Sequence, residues 1–223
     1  MNLQLQDQEG FEAFRHAYRA AIKEVRTKIE ILSEDFAVRH DYNPIHHIES
    51  RLKTTESIEE KLMRLDKEIS IASAKENLFD IAGIRVVCNF IDDVYAVADM
   101  LTSQSDVRLL TEKDYIKNPK PNGYRSFHVI IAVPVYYLDT MEYFPVEIQL
   151  RTMTMDLWAS MEHRVCYKKL PEHREELAEA FCQYADILGR IEKQFEAYNE
   201  TRMLEEITPS EVAEAPAEER KWK

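Results

Sequence analysis

The sequence predicts an α/β fold: a mixed β-sheet flanked by helices, with helical extensions at both ends. Three observations carry this. Apolar residues recur every three or four positions over residues 11–36 and again over about 172–204, the period of amphipathic helices. Between them "GIRVVCNF" (83–90) reads as a strand, and "YFPVEIQLRT" (143–152) alternates as a half-buried strand does. Helices outside and four strands between them imply an α/β sandwich with a mixed sheet.

Each element has its own signal. Phe11, Phe14, Tyr18, Ile22, Val25, Ile29, Leu32 and Phe36 form the stripe of the opening helix. "HDYNPIHHIESRLKTTES" (40–57), with Pro44 and several turn formers, interrupts it. A second helix is predicted from Ser57, because Ser57 and Glu60 have the spacing of a capping box, with Ile58, Leu62, Leu65 and Ile69 as its stripe. The strand at 83–90 leads into a short helix over 92–101, and a further strand is expected near 107–111. "NPKPNGYRSFH" (118–128) follows: two prolines forbid a helix, Asn-Gly signals a turn, and alternation starts at Tyr124. That alternation puts Tyr124 and His128 on one face, roughly 13 Å apart at ~3.3 Å per residue. Such a span suits a nucleotide, base at one end and phosphates at the other. In the strand over 143–152, Val146, Ile148 and Leu150 point inward and Glu147, Gln149 and Arg151 outward. Helices over 153–165 and about 172–204 complete the chain.

Composition bounds the function. The 223 residues suit one domain, taken as 1–204, followed by an acidic tail, 205–223, expected to be disordered. A net charge of -12 argues against general nucleic-acid binding. Charge is uneven, however: residues 108–128 carry five Lys or Arg against two acids, which favours a small anionic ligand over a long polyanion. Cys88, Cys166 and Cys182 show no C-x-x-C spacing and fit a reducing cytoplasm. The longest apolar run, 129–138, is too short to span a bilayer, and no membrane association is expected.

Three constellations can carry chemistry. In "SRLKTTESIEEKLMR" (50–64), Ser57, Lys61 and Arg64 share a helical face near a helix start, with Arg51 and Lys53 just before it. Helix-start N–H groups and cations attract phosphates. In "DIAGIR" (80–85), Asp80 stands before a strand and Arg85 within it, and an acid beside a phosphate patch suits Mg²⁺. In "VEIQLR" (146–151), Glu147 is placed to act as a general base or a metal ligand. Each alone is also what an ordinary solvated surface presents.

Taken in order, "SRLK…ESI…K…R", "DIAGIRVVC", "KDYI…PKPNGYRSFH" and "VEIQLRT…DLWASMEH" resemble the RelA/SpoT-type alarmone synthetases, over roughly residues 40–170. The match is nearest the small single-domain members, RelP-like more than RelQ-like. The resemblance implies a nucleotidyltransferase-like synthetase fold. It also implies transfer of the β,γ-pyrophosphate of ATP to the ribose 3′-hydroxyl of GDP or GTP, giving ppGpp or pppGpp and AMP. Residue by residue, it implies that Arg51 and Arg85 sandwich adenine and that Lys53, Ser57, Lys61 and Arg64 hold the ATP phosphates. Asp80 becomes the Mg²⁺ ligand and Glu147 the metal ligand and general base. Tyr124 stacks on guanine, and Lys113, Lys120, His128 and Gln149 hold the acceptor nucleotide. Arg125 is part of the motif, but alternation places it on the face opposite Tyr124, without an assigned role. A homotetramer is implied too, with the stripe Leu177, Phe181, Tyr184, Leu188, Ile191, Phe195 and Tyr198 in its contacts. One departure stands out: where the branch activated by pppGpp has Asn, this chain has Asp156, an acid that repels polyphosphate. That activation is not expected here.

The alternative from another class is a catalytically silent nucleotide sensor or RNA-binding regulator. Loss of Asp80 or Glu147 would favour it, and both are present. An HD-type hydrolase, suggested by His40-Asp41 and His46-His47, needs a helical bundle that about fifty preceding residues do not supply.

Overall fold

The computed structural model describes residues 8–40, 42–166 and 174–207. Helix α1 (Gln8–His40) leads to β1 (Ile45–Leu52), α2 (Thr55–Arg64), α3 (Ile71–Asn77) and β2 (Ala82–Cys88). Helix α4 (Ile91–Thr102), β3 (Arg108–Asp114), β4 (Phe127–Tyr136) and β5 (Met141–Thr152) follow, then α5 (Met153–Cys166) and α6 (Arg174–Ile207). The strands form one sheet in the order β1-β2-β5-β4-β3, with β2 and β5 parallel and the other neighbours antiparallel. The expected α/β class with a mixed sheet and helical ends is what the chain adopts.

Burial explains why one sheet face is covered and the other is not. Phe14, Tyr18, Val25 and Ile29 of α1 are sealed in one cluster with Ile84, Val86, Val146, Ile148 and Leu150 of the central strands. The Tyr18 ring packs edge-on against Phe144, centroids 5.4 Å apart. Each such side chain contributes about 1.5–3 kcal/mol on leaving water. Val94, Val97 and Leu101 of α4 join the same cluster. Polar residues of alternate register are thereby left on the other face.

The sheet has five strands where the sequence reading expected four. The extra one is β1, from the stretch read as a break. A register irregularity between Ile45 and His47 disrupts its period of two, and as an edge strand it is half exposed. Helix α2 also begins earlier than expected: Thr54, not Ser57, is the N-cap, and its hydroxyl accepts from the Ser57 N–H at 3.3 Å. It ends earlier as well, at Arg64, where Asp66 takes a left-handed φ of 54° and Lys67 N–H bonds back to the Leu62 carbonyl. Ile58 and Leu62 are therefore buried, whereas Leu65 is exposed. Helix α6 continues to Ile207, and residues 208–223, most of the expected tail, lie outside the described residues. Among the described residues no helix is long and apolar enough to cross a membrane.

Candidate active site

Strand pairing fixes which side chains stand together on the polar face. Glu49, Arg85, Gln149, His128 and Lys113 form one row across all five strands. Arg51, Gly83, Glu147 and Ile130 form the next. Gly83 matters by what it lacks: a Cβ there would lie 3.2 Å from Arg51 Cγ and Nε, so its absence lets the Arg51 side chain cross the strand.

Asp80, just before β2, collects the cations from the preceding segment. Lys53 Nζ and Lys61 Nζ each stand 2.7 Å from its Oδ2. A backbone bond from Lys53 N–H to the Ile81 carbonyl brings the end of β1 to that point. Burial alone raises the Asp80 carboxyl, but hydrogen bonds and charge from Lys53 and Lys61 together outweigh it and hold it below the usual range. Its other oxygen, Oδ1, is buried without a hydrogen-bond partner. An ionised carboxylate with one unsatisfied oxygen fits a hard cation such as Mg²⁺. Ser57 and Arg64 lie on α2 but make no hydrogen bond or ion pair with this group; the Ser57 hydroxyl accepts from Thr54 instead.

Glu147 is half-buried on β5, flanked by Gln149 Nε2 at 3.1 Å, Arg51 Nη2 at 3.9 Å and His128 Nδ1 at 3.6 Å. The last distance is too long for a good hydrogen bond. Burial raises the Glu147 carboxyl and the Asp80 charge does too, but His128 and Gln149 prevail and the net direction is down. The two acids thus feel each other's field. Among the described residues no group of three or more His, Cys, Asp or Glu converges as a metal site. A cation held by Asp80 and Glu147 would need oxygens from a ligand to complete its shell.

Tyr124 corrects an expectation. Strand β4 starts only at Phe127, so Tyr124 stands in the loop before it and not on the strand. Its hydroxyl meets His128 Nε2 at 2.8 Å and the ring centroids lie 5.8 Å apart, so the two side chains touch instead of marking the two ends of a nucleotide-long span. Lys120 Nζ lies over both Tyr115 and Tyr124, 4.7 and 4.8 Å from the ring centroids. Lys113 stands opposite His128 in the neighbouring strand. Arg51, Arg85, Tyr124 and Gln149 line a cleft of about 790 Å³, within the range of nucleotide-sized sites.

Sequence reasoning passed over Arg151. It is buried, yet it donates to the Tyr124 hydroxyl at 2.7 Å, to Gln149 Oε1 at 2.9 Å and to Asp156 Oδ1 at 3.3 Å. Its outward place in "VEIQLRT", beside Glu147 and Gln149, was the available signal. Asp156 pairs with Arg85 as well, Nε to Oδ1 at 3.5 Å, and Glu49 accepts from Arg85 Nη1 at 3.0 Å. The acid that departs from the family pattern therefore sits between two arginines. His46 and His47, the pair that suggested a hydrolase, lie on edge strand β1.

The sequence and the fold have known relatives. A family model described as the region found in RelA/SpoT proteins matches residues 50–172. The GTP pyrophosphokinase YwaC of Bacillus subtilis is 43% identical over 79% of this chain and 84% of its own length. The GTP pyrophosphokinase YjbM of the same organism is 35% identical over 73% and 75%. Among solved structures, small alarmone synthetase 2 from Bacillus subtilis superposes with a TM-score of 0.75 at 38% identity, covering 86% of this chain and 98% of that one. Small alarmone synthetase 1 from Bacillus subtilis bound to its product pppGpp gives a TM-score of 0.79 at 29% identity, over 87% and 99%. The chain belongs to the RelA/SpoT family, among its small alarmone synthetases.

Proposed function

We propose that the chain is a (p)ppGpp synthetase, which moves the β,γ-pyrophosphate of ATP to the 3′-hydroxyl of GDP or GTP and releases AMP as part of alarmone signalling. One observation carries the reading: a lysine-gripped acid with a free buried oxygen, Asp80, lies within the field of a second acid, Glu147, which neighbours His128 and, through it, an aromatic ring for a base, Tyr124. The relatives named GTP pyrophosphokinase and the neighbour bound to pppGpp support it.

In this reading Lys53 and Lys61 exchange Asp80 for the ATP phosphates, joined by Ser57 and Arg64 from the same helix. Arg51 and Arg85 are diagonal neighbours on adjacent strands, ~7–8 Å apart at the backbone, a gap that admits one flat base. Tyr124 stacks on guanine, while Lys113, Lys120, His128 and Gln149 hold the acceptor's ribose and phosphates. Asp80 and Glu147 are the residues that would hold Mg²⁺, which would supply positive charge against the charge developing on the phosphates. Glu147 would take the hydroxyl proton, and its depressed pKa weights it toward the ligand half of that double role.

The exposed apolar face of α6 (Tyr184, Ile191, Phe195, Tyr198) supports a homotetramer with the terminal helices in its contacts. The proposed substrates and three free thiols support a cytoplasmic setting. Purified chain incubated with ATP, Mg²⁺ and GDP or GTP, with products resolved by anion exchange, tests the function. AMP with a 3′-pyrophosphorylated guanine nucleotide is expected. Free pyrophosphate, or nucleotide binding without turnover, overturns it. Light scattering at micromolar concentration tests the tetramer, and a monomer refutes it.

A further inference from the structure

Four glycines are all this chain has, and two of them, Gly123 and Gly189, lie where the loop carrying Tyr124 meets α6. Gly123 has a φ of 90°, in the left-handed region that favours glycine. A Cβ on it would come within 2.9 Å of Ala185 Cβ and 3.1 Å of Cys182 Cα, both on α6. Gly189 sits inside that helix, where glycine is less favourable than alanine. Its reason is steric: a Cβ there would collide with Nη1 of Arg125.

Arg125 fills the space so left. Its Nη2 donates to Asp186 Oδ1 at 2.9 Å and its Nη1 to the Ala185 carbonyl at 3.4 Å. Its Nε and Oε1 of Glu192 are both buried without hydrogen-bond partners, and the two residues line one cavity of about 10 Å³. The charge of Arg125 acts on that carboxylate, which also bonds Thr152 at the end of β5 and Thr154 at the start of α5. A second tie runs beside the first: Trp158 of α5 packs edge-on against Tyr124 and donates its indole N–H to the Phe181 carbonyl at 2.7 Å. Tyr124 is thus flanked in sequence by two residues, Gly123 and Arg125, that both rest on α6.

We infer that Arg125 is a positioning residue for the acceptor subsite, latching the Tyr124 loop onto the Ala185–Gly189 turn of α6. The C-terminal helix thereby sets the angle of the guanine-stacking ring, although it supplies no group to the reaction. This rests on the proposed assignment of Tyr124 to the guanine. Whatever packs against the outer face of α6 gains a mechanical route to acceptor affinity.

Gly189→Ala is the discriminating variant, because helix propensity alone makes it neutral or stabilising. In the full chain it is expected to raise KM for GDP and GTP at least about fivefold, the lower end of a lost base stack, with KM for ATP unchanged and no fall in Tm. Arg125→Ala is expected to act alike, with Arg125→Lys between it and the wild type. Amide hydrogen exchange over 120–126 is expected to quicken in Gly189→Ala whether or not substrates are present. Unchanged exchange there, or a KM for ATP that rises as much as that for GDP, overturns the latch. Should the wild-type chain release no AMP, the proposed function falls, and exchange over 120–126 alone then decides the latch.

Discussion

Arg151 donates to the Tyr124 hydroxyl at 2.7 Å and also lies over its ring, 5.2 Å from the centroid. One buried cation therefore holds the aromatic platform at both its polar tip and its face. Two Tyr124 substitutions separate these roles. Tyr124→Ala is expected to raise KM for GDP and GTP by about five- to 150-fold, the equivalent of the ~1–3 kcal/mol of a base stack. Tyr124→Phe keeps the ring and loses only the tie to Arg151 and His128, so a smaller rise is expected. Steady-state kinetics with each substrate varied in turn checks both, and equal effects from the two variants would dismiss stacking.

Glu147 is tested by Glu147→Gln, which keeps the shape and removes the charge. The ribose hydroxyl is a poor nucleophile at neutral pH, and proton removal is worth about 10²–10⁴ in rate. A fall in kcat of at least roughly a hundredfold is expected, with guanine nucleotide still bound by calorimetry. Retention of more than about a tenth of wild-type turnover would exclude a base contribution of that size.

What the sequence made legible depended on how local the cause was. The alternation of Val146, Ile148 and Leu150 against Glu147 and Gln149 announced β5 and its two faces, and the buried pattern agrees. Strand β1 was hidden because its irregularity at Ile45/His47 destroys the period on which such readings rest. Tyr124 was read as the start of the strand, whereas it stands in the loop before it with its hydroxyl on His128. The turn at Gly123 packs against α6, a contact about 60 residues away in sequence. Arg151 and Arg125 went without a role because Tyr124 and Asp186 become their neighbours only once the sheet and α6 have assembled.

Glu192 gives a pH prediction. Burial, first of all, raises its carboxyl above the usual range; Thr152, Thr154 and Arg125 lower it and Glu196 raises it further. The folded state thus holds this proton more tightly than the unfolded one. That contribution is full below the unfolded pKa and is lost as pH rises through the folded one. Glu192→Gln, neutral at every pH, is expected to raise Tm at pH 7–8, by ~2–4 °C for each kcal/mol recovered, and to flatten the decline of Tm with pH above about 4.3. Thermal melts of both proteins from pH 5 to 8 check it. A lower Tm for the variant at pH 8 would mean that the ionised carboxylate is the stabilising form.

Asp80 carries the last prediction. Its Oδ2 neutralises Lys53 and Lys61 while its Oδ1 has no partner, so the same side chain restrains the phosphate-binding lysines and offers an oxygen to a cation. Asp80→Asn separates these two effects. It keeps an oxygen near the lysines but removes the negative charge, so the site becomes more positive. Nucleotide without Mg²⁺ is therefore expected to bind as well as in the wild type or better, because nothing competes with the phosphates for Lys53 and Lys61. Turnover is expected to move the other way. A metal stabilises the developing charge by several kcal/mol, and weakening its attachment should lower kcat by about 10²–10³, with partial recovery as Mg²⁺ is raised. Calorimetry with a non-hydrolysable ATP analogue, with and without Mg²⁺, measures the first effect, and a Mg²⁺ titration of kcat the second. Weaker metal-free binding would show that Asp80 aligns the lysines for phosphate rather than restraining them. A kcat close to wild type at ordinary Mg²⁺ would remove Asp80 from the metal site and leave it as the structural partner of Lys53 and Lys61.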